Sequence, residues 1–199
     1  HPDMLVLEMG ADHPGDIPYL AQLAQPTIAV ITTVAETHGE FFGSVDAIAK
    51  EKSELIRHLP KDGLAVLNRD DVRVWGMRGL TKAQVMSFGF DVSADVRALE
   101  ESLQYVYEPD GVCGMRVKIA FQGNMMPVFL SGSFGRQQIY AALAATAVGL
   151  RLGMNLLAIA RELEKNVAPA GRMRCIPGIK HTLLIDDSYN ASAPRSIIA

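Results

Sequence analysis

Short apolar runs alternate with amphipathic stretches along residues 1–90. Continuous apolar runs bounded by turn residues are typical of buried parallel strands. Four such runs occur, MLVLEMG (4–10), TIAVITTV (27–34), LAVLN (64–68) and QVMSFGF (84–90). Helical stretches lie between them, and the alternation predicts an α/β fold with a mostly parallel, doubly wound sheet flanked by helices.

The predicted helices have polar residues where helices usually begin. Asp16 can cap a short helix that runs through Leu23, and Ser44 can cap a helix over 45–59. The acidic pair at 70–71 opens another short helix. These starts support the strand–helix alternation.

The middle of the chain has a different pattern. Alternating residues and turn signals predict a small antiparallel β insert over about 96–130. Its strands are SLQYVYE, GMRVKIAFQ and MPVFLSG. Helical periodicity returns at 136–152 and 155–166, and HTLLIDD (181–187) is predicted to be a last strand.

Net charge, the length of apolar runs and cysteine spacing limit the kinds of binding partner and cellular setting that the sequence predicts. The net charge of −3 over 199 residues gives no reason to expect nucleic acid or an anionic membrane as the main partner. No apolar run approaches the length of a transmembrane helix, and a cytoplasmic location is expected. Cys113 and Cys175 have no metal-binding spacing and are expected to be reduced structural thiols. Both ends of the sequence suggest a piece of a longer protein.

Candidate ligand-binding residues follow the predicted strands. In open α/β sheets, ligands bind beyond the carboxyl ends of the strands. The polar residues at those ends and in the loops that follow are Glu8, Asp12, His13, Thr32, Thr33, His38, Asn68, Asp186 and Asp187.

Two lysines of the helix over 45–59 differ in the face they occupy. With a turn of roughly 100° per residue, Lys52 lies roughly 20° from Val45, near the middle of the apolar stripe, whereas Lys50 lies roughly 140° away. Lys52 either extends its amine along apolar surface to water or carries it into a polar site inside the domain. A neutral buried amine can take up carbon dioxide as a carbamate, which is a potential metal ligand.

Glu8, His38 and Lys52 together form a possible site for a hard cation. A carboxylate, an imidazole and a carbamate suit Mg²⁺ or Mn²⁺ that holds substrate phosphates. Taken alone, each residue also has an ordinary explanation as a solvated side chain. The phosphate-loop pattern GxxxxGK[ST] does not occur in the sequence.

Five segments in order resemble the central domain of the Mur ligase family, which builds the peptide of bacterial cell-wall precursors. They are EMGADHPGDI (8–17), ITTVAETHGEFFGSVDAIAKEKSEL (31–55), VLNRDD (66–71), AGRMR (170–174) and LLIDDSYNASAP (184–194). The likeness covers nearly the whole chain. It implies an ATPase domain over 1–187 without its phosphate-loop segment, and a hinge to a further domain at 188–199.

The resemblance also implies roles for individual residues. Glu8 matches a ligand of the Mg²⁺ on the ATP phosphates, while His38 and a carbamylated Lys52 match ligands of a second Mg²⁺. Ala11, Asp12 and His13 match the loop that faces the acceptor peptide, although Asp12 stands where Asn is usual. The residues that match the nucleotide side are Gln138, Arg172, Asp187 and, with a structural cap as the alternative, Asn68.

One motif departs from the family. The helix after the insert usually begins with G-x-H-N-x-x-N, whose asparagines contact adenine. Here the sequence is GRQQIYA, so Gln137 and Gln138 replace His and Asn, and Ala141 replaces the second Asn. The amide of Gln138 can still bond adenine.

The resemblance implies an ATP-dependent peptide ligase. EMGAxHxGDI and DDSYNA are typical of members that join D-Ala-D-Ala to UDP-N-acetylmuramoyl-tripeptide through an acyl phosphate. Other domains of the same polypeptide are the expected partners, and neither nucleic acid nor membrane insertion is expected. Two alternatives stay open: a sibling ligase with other substrates, such as folylpolyglutamate synthetase, and a non-catalytic binding module of the same fold.

Overall fold

The computed structural model describes residues 3–35, 42–108, 112–179 and 182–189. Within these residues, six strands in chain order form one sheet, and two more form a second, two-stranded sheet. The strands are β1 (Ile28–Ile31), β2 (Leu64–Asn68), β3 (Gln84–Gly89), β4 (Val96–Tyr107), β5 (Cys113–Phe121), β6 (Asn124–Ser131), β7 (Arg174–Pro177) and β8 (Leu183–Asp186). The helices are α1 (Asp16–Ala24), α2 (Val45–Arg57), α3 (Val72–Gly76), α4 (Arg136–Arg151) and α5 (Leu156–Lys165), with a 3₁₀ helix at Met77–Leu80.

This architecture confirms the predicted α/β class. Parallel pairing joins β1 to β2 and β3 to β4, while β4, β5 and β6 pair antiparallel, as expected for the insert. The insert strands extend the main sheet. Contacts divide the chain into two compact units, residues 1–86 and 87–199.

The first unit is built around β2, all five residues of which are buried. Parallel pairing aligns Ile28 with Leu64 and Ile31 with Leu67, and α2 connects the two strands along the chain. Ile48 and Ile56 of α2 join the buried core with Leu67. The apolar run at 64–68 is therefore a central strand that is buried on both faces, as continuous hydrophobicity predicts.

Helix caps in the first unit partly match the prediction. The Ser44 hydroxyl accepts a hydrogen bond from the Ala47 amide at 3.1 Å, and Asp71 caps α3. Asp16 does not cap α1. It is the first residue of that helix, and Gly15, with a φ of 99°, is the residue before it. The Asp16 carboxylate turns back to the preceding loop instead.

The predicted first strand, MLVLEMG, is wrong. Residues 4–10 have no regular structure, and Met4, Leu5, Val6 and Leu7 are exposed, with Val6 at 84%. A strand needs backbone partners along its length, and this segment pairs with none of the six strands of the main sheet. Hydrophobicity alone could not supply that partner.

The second unit combines the insert with two helices. Along β5, the alternate residues Met115, Val117 and Ile119 are buried, which is the period of two expected for a strand. Buried Ile139 and Leu143 recur every four residues along α4, which contacts β4 and α5. The last predicted strand, HTLLIDD, is β8, but it pairs antiparallel with β7, a strand that the sequence did not predict.

The two cysteines form a disulfide, which corrects the expectation of two free thiols. Cys113 begins β5 and Cys175 lies in β7, 62 positions later. Gly132 brings them together, because its amide donates to the Cys113 carbonyl at 2.8 Å and its carbonyl accepts from the Cys175 amide at 3.0 Å. Spacing along the chain could not reveal a pairing made through a third segment.

None of the helices in the described segments combines enough length with enough hydropathy to cross a bilayer.

Candidate active site

The Lys52 side chain extends from α2 to the turn that follows β1. The side chain is partly buried, and its Nζ donates to the Thr33 carbonyl at 2.8 Å, just after the carboxyl end of β1. Burial lowers the pKa of the Lys52 ammonium, and the opposite charge of Asp71 counteracts part of this effect. The residue therefore favours the neutral amine more than an exposed lysine does. Lys50, in contrast, is exposed.

Asp71 fixes the turn that receives this amine. Its Oδ2 accepts from the Val34 amide at 2.8 Å and from the Thr33 hydroxyl at 3.1 Å. Its Oδ1 accepts from the amides of Arg73 and Val74 and so caps α3. One carboxylate thus joins the end of β1 to the start of α3 and holds the Thr33 carbonyl in place.

Asn68 is buried at the end of β2, and its amide group bonds to backbone. Nδ2 donates to the Thr32 carbonyl at 2.8 Å, and Oδ1 accepts from the Asp70 amide at 2.9 Å. These bonds fit the structural alternative given for this residue. A nucleotide-binding role for Asn68 stays a prediction.

The loop predicted to face the acceptor peptide is held by two carboxylates. Asp16 Oδ2 accepts from the amides of Asp12 and His13 at 2.9 and 2.7 Å, and these bonds lower the pKa of Asp16. Glu51 of α2 accepts from the amides of Gly15 and Ile17. Asp12 and His13 are exposed, and Ala11 is partly exposed.

The predicted metal ligands are only partly described. Glu8 is exposed in the irregular segment before α1, and His38 lies outside the described residues. No group of three or more acidic, histidine or cysteine side chains within the described segments is arranged to hold a metal ion. As an ammonium, Lys52 cannot ligate a cation, and its neutral amine is a poor ligand for a hard cation, but its carbamate would supply oxygen donors. With the Glu8 carboxylate, that donor set fits Mg²⁺.

Three predicted nucleotide-side residues come together in the second unit. Gln138 Nε2 donates to the Arg172 carbonyl at 3.0 Å, and the Asp187 carboxylate accepts from the Met173 amide at 3.2 Å. The Arg172 guanidinium lies 4.6 Å from the ring centre of Tyr189. The segments around 172 and 187 are therefore in direct contact with each other and with the start of α4.

Asp186 adds hydrogen bonds that connect the same two segments. It accepts from the Ser188 hydroxyl at 2.7 Å and from the Gly171 amide at 2.8 Å, and these bonds lower its pKa, with Ser188 as the largest cause. Gly171 has a φ of 74°, and a Cβ there would lie 2.7 Å from the Tyr189 Cβ. Only glycine fits this close approach without strain.

A cavity of about 380 Å³ lies beside Gln138. Its wall is mainly apolar, with contributions from α4, α5 and the end of β6. Gln138 and Ala141, two of the three positions that depart from the family motif, both line it. The volume and the mixture of apolar wall with a few polar groups suit a small ligand.

Glu51 has a role that sequence reasoning missed. About 120° separate it from Val45 on a helical wheel, which places it on the polar face of α2. It is nevertheless 7% exposed, because α1 covers it. The signal that could have identified it is the start of α1, whose first amides need acceptors.

Several known proteins resemble this chain in sequence and in fold. The Mur ligase middle domain model matches residues 1–149. The UDP-N-acetylmuramoyl-tripeptide–D-alanyl-D-alanine ligase of Mycobacterium tuberculosis is 36% identical over 193 residues, which cover 96% of this chain and 36% of that protein. The chain thus spans little more than a third of that relative.

Solved structures give the same result. A crystal structure of MurF from Acinetobacter baumannii has a TM-score of 0.81 and 30% identity, covering 95% of this chain and 40% of that one. MurF ligase from Thermotoga maritima, solved in complex with ADP, has a TM-score of 0.80 and 26% identity, covering 96% and 42%. The fold and the family model define a ligase-type α/β domain, and the chain belongs to the Mur ligase family.

Proposed function

We propose that the chain is the central domain of an ATP-dependent ligase that joins D-Ala-D-Ala to UDP-N-acetylmuramoyl-tripeptide. The observation that carries the proposal is the inward position of the Lys52 amine at the carboxyl end of β1, where α/β folds bind ligands. The relatives named above support the choice of substrates. The activity is proposed for the longer polypeptide that contains these 199 residues.

The nucleotide is ATP, with its adenine in the cavity beside Gln138. The cavity supplies an apolar wall, while Arg172 and Asp187 lie on neighbouring segments where they can face ribose and phosphates. The ADP complex of the Thermotoga maritima relative supports this assignment. Ala141 offers no amide to the base, so recognition of adenine falls mainly to Gln138.

Two Mg²⁺ ions are part of the proposal, with Glu8 on one and His38 and carbamylated Lys52 on the other. When bound, the ions would neutralise phosphate and carboxylate charge. The lowered pKa of Lys52 supports carbamate formation, since the neutral amine is the form that reacts with carbon dioxide. The Thr33 carbonyl accepts a hydrogen bond from the end of this side chain, Asp71 fixes Thr33, and the loop at 11–13 presents the acceptor.

The proposed chemistry has two steps. A carboxylate oxygen of the tripeptide attacks the γ-phosphorus of ATP, which forms an acyl phosphate and releases ADP. The amine of D-Ala-D-Ala then attacks the acyl carbon, loses a proton and expels phosphate. The chain contributes orientation and charge compensation to both steps, and none of its side chains is proposed as a covalent nucleophile.

The proposed setting is the cytoplasm, with residues 1–187 as the ATPase domain and 188–199 leading to the next domain. Most of the latter segment lies outside the described residues.

Phosphate release by the full-length protein tests the proposed activity. We expect release to require ATP, UDP-N-acetylmuramoyl-tripeptide and D-Ala-D-Ala together, with a drop of at least about a hundredfold when the dipeptide is left out. L-Alanine, glutamate and other single amino acids serve as control acceptors. Preference for one of them would instead show a sibling ligase, and binding without phosphate release would show a non-catalytic module.

A further inference from the structure

A buried carboxylate on α2 accepts hydrogen bonds from the backbone at the start of α1 and in the loop before it. Glu51 is 7% exposed, and its Oε1 accepts from the Gly15 amide at 3.0 Å and from the Ile17 amide at 2.9 Å. Its Oε2 lies 3.1 Å from the same Gly15 amide. Glu51 immediately precedes Lys52. The same helical turn therefore contains the carboxylate that binds the loop and the amine that bonds to the Thr33 carbonyl.

The backbone amides at the start of α1 explain why their hydrogen bonds to Glu51 are strong. The first amides of a helix have no acceptor within the helix, and they carry the positive end of the helix dipole. Gly15 and Ile17 supply such amides, and the carboxylate compensates both while its own charge is compensated in return. A hydrogen bond to a charged acceptor is stronger than a neutral one and is not screened by water when buried.

A second carboxylate carries the constraint further along the loop. Asp16, between the two residues held by Glu51, accepts from the amides of Asp12 and His13. Holding residues 15–17 against α2 therefore also fixes the backbone at 12–13. The chain of contacts runs from α2 through Glu51 to α1 and back to the loop that is proposed to face the acceptor.

We infer that Glu51 is a positioning residue for the amino acceptor, which it aligns by holding the 11–17 loop on the helix that carries Lys52. The inference rests on the proposed function, because that function places the acceptor dipeptide against this loop. Glu51 is not proposed to contact any substrate. Its effect is to set where the loop lies before the dipeptide binds.

Three variants of the full-length protein test this role. Glu51→Ala removes the acceptor, and Glu51→Asp keeps the charge but shortens the side chain by one carbon, so both are expected to raise the KM for D-Ala-D-Ala roughly tenfold. Glu51→Gln keeps one oxygen that can accept from both amides, so its KM is expected to stay within about threefold of wild type. The KM values for ATP and UDP-tripeptide are expected to stay unchanged.

Lys50→Ala is the matched control, since Lys50 is exposed on the same helix. Hydrogen exchange adds a readout that does not depend on activity: peptides containing Gly15 and Ile17 are expected to exchange faster in Glu51→Ala and Glu51→Asp, but not in the control. Exchange in peptides from β2 is expected to stay at the wild-type rate.

The outcomes separate the inference from the function on which it rests. An unchanged KM for the dipeptide in Glu51→Asp, or an equal rise of all three KM values, would overturn the inference alone. A wild-type protein that releases no phosphate in response to D-Ala-D-Ala would overturn the proposed function and the inference with it. Should Glu51→Ala fail to fold, Glu51→Asp and Glu51→Gln still decide the question.

Discussion

Replacing Lys52 by alanine in the full-length protein is expected to lower kcat for ATP-dependent amide formation by at least about a hundredfold. The substitution removes the group whose carbamate is proposed to supply oxygen ligands for a cation. It should leave the fold largely intact, because alanine favours helices and, among the described residues, the amine bonds only to the Thr33 carbonyl. Initial rates of phosphate release measure the effect.

Chemical rescue distinguishes a carbamate from an ordinary lysine. Short carboxylates such as formate or acetate fit the space left by the side chain and should restore part of the activity of Lys52→Ala. Lys50→Ala, two residues away and exposed, should keep wild-type activity with or without them. Full activity in Lys52→Ala, or equal rescue by chloride, would refute the carbamate role.

Replacing Asp71 by alanine is expected to lower the free energy of unfolding by about 2–4 kcal/mol. The Asp71 carboxylate accepts from two amides at the start of α3, from the Val34 amide and from the Thr33 hydroxyl. Removing it leaves partly buried donors without an acceptor and also weakens a helix cap. Denaturant unfolding of the full-length protein, followed by circular dichroism, measures the change.

Asp46→Ala is the control for Asp71→Ala, because both carboxylates lie close to Arg73. Asp46 pairs with the Arg73 guanidinium at 2.9 Å, but its side chain is 84% exposed. A surface ion pair of this kind contributes less than about 1 kcal/mol. Asp71→Asn, which keeps one capping oxygen, should fall between the two. Equal losses in Asp46→Ala and Asp71→Ala would contradict the linking role given to Asp71.

Much of the fold follows from local pattern. Continuous apolar runs identified β1, β2 and β3, and alternation identified the antiparallel insert. The Ser44 cap and the helix start at the acidic pair 70–71 were predictable because their effect is local: the hydroxyl or carboxylate reaches an amide two or three residues ahead. Features that depend on neighbours in sequence were therefore accessible without a structure.

The errors share a different cause, which is dependence on distant segments. MLVLEMG has the composition of a buried strand but pairs with none of the described strands, and β7 pairs with β8 and, through the Cys175 amide, with Gly132. The Cys113–Cys175 pairing is made through Gly132. In each case the deciding contact joins residues that no periodicity relates.

The candidate site also combines features that local pattern predicts with features that depend on distant segments. Helical geometry placed Lys52 on the buried face of α2, and the structure shows its amine directed to Thr33. Helical geometry alone would put Glu51 on the polar face, yet α1 packs over it and the Ile17 amide donates to its carboxylate. Gln138, Arg172 and Asp187 could be grouped only through the family resemblance, since contacts between loops bring them together.

Transfer of a labelled oxygen tests the central claim most directly. The tripeptide carboxylate is labelled with heavy oxygen, the full-length protein is supplied with ATP and D-Ala-D-Ala, and the released phosphate is analysed by mass spectrometry. Because the acyl phosphate keeps a carboxylate oxygen on phosphorus when the amine displaces it, each phosphate should carry one labelled oxygen. Unlabelled phosphate, released together with the amide product, would contradict the proposed mechanism.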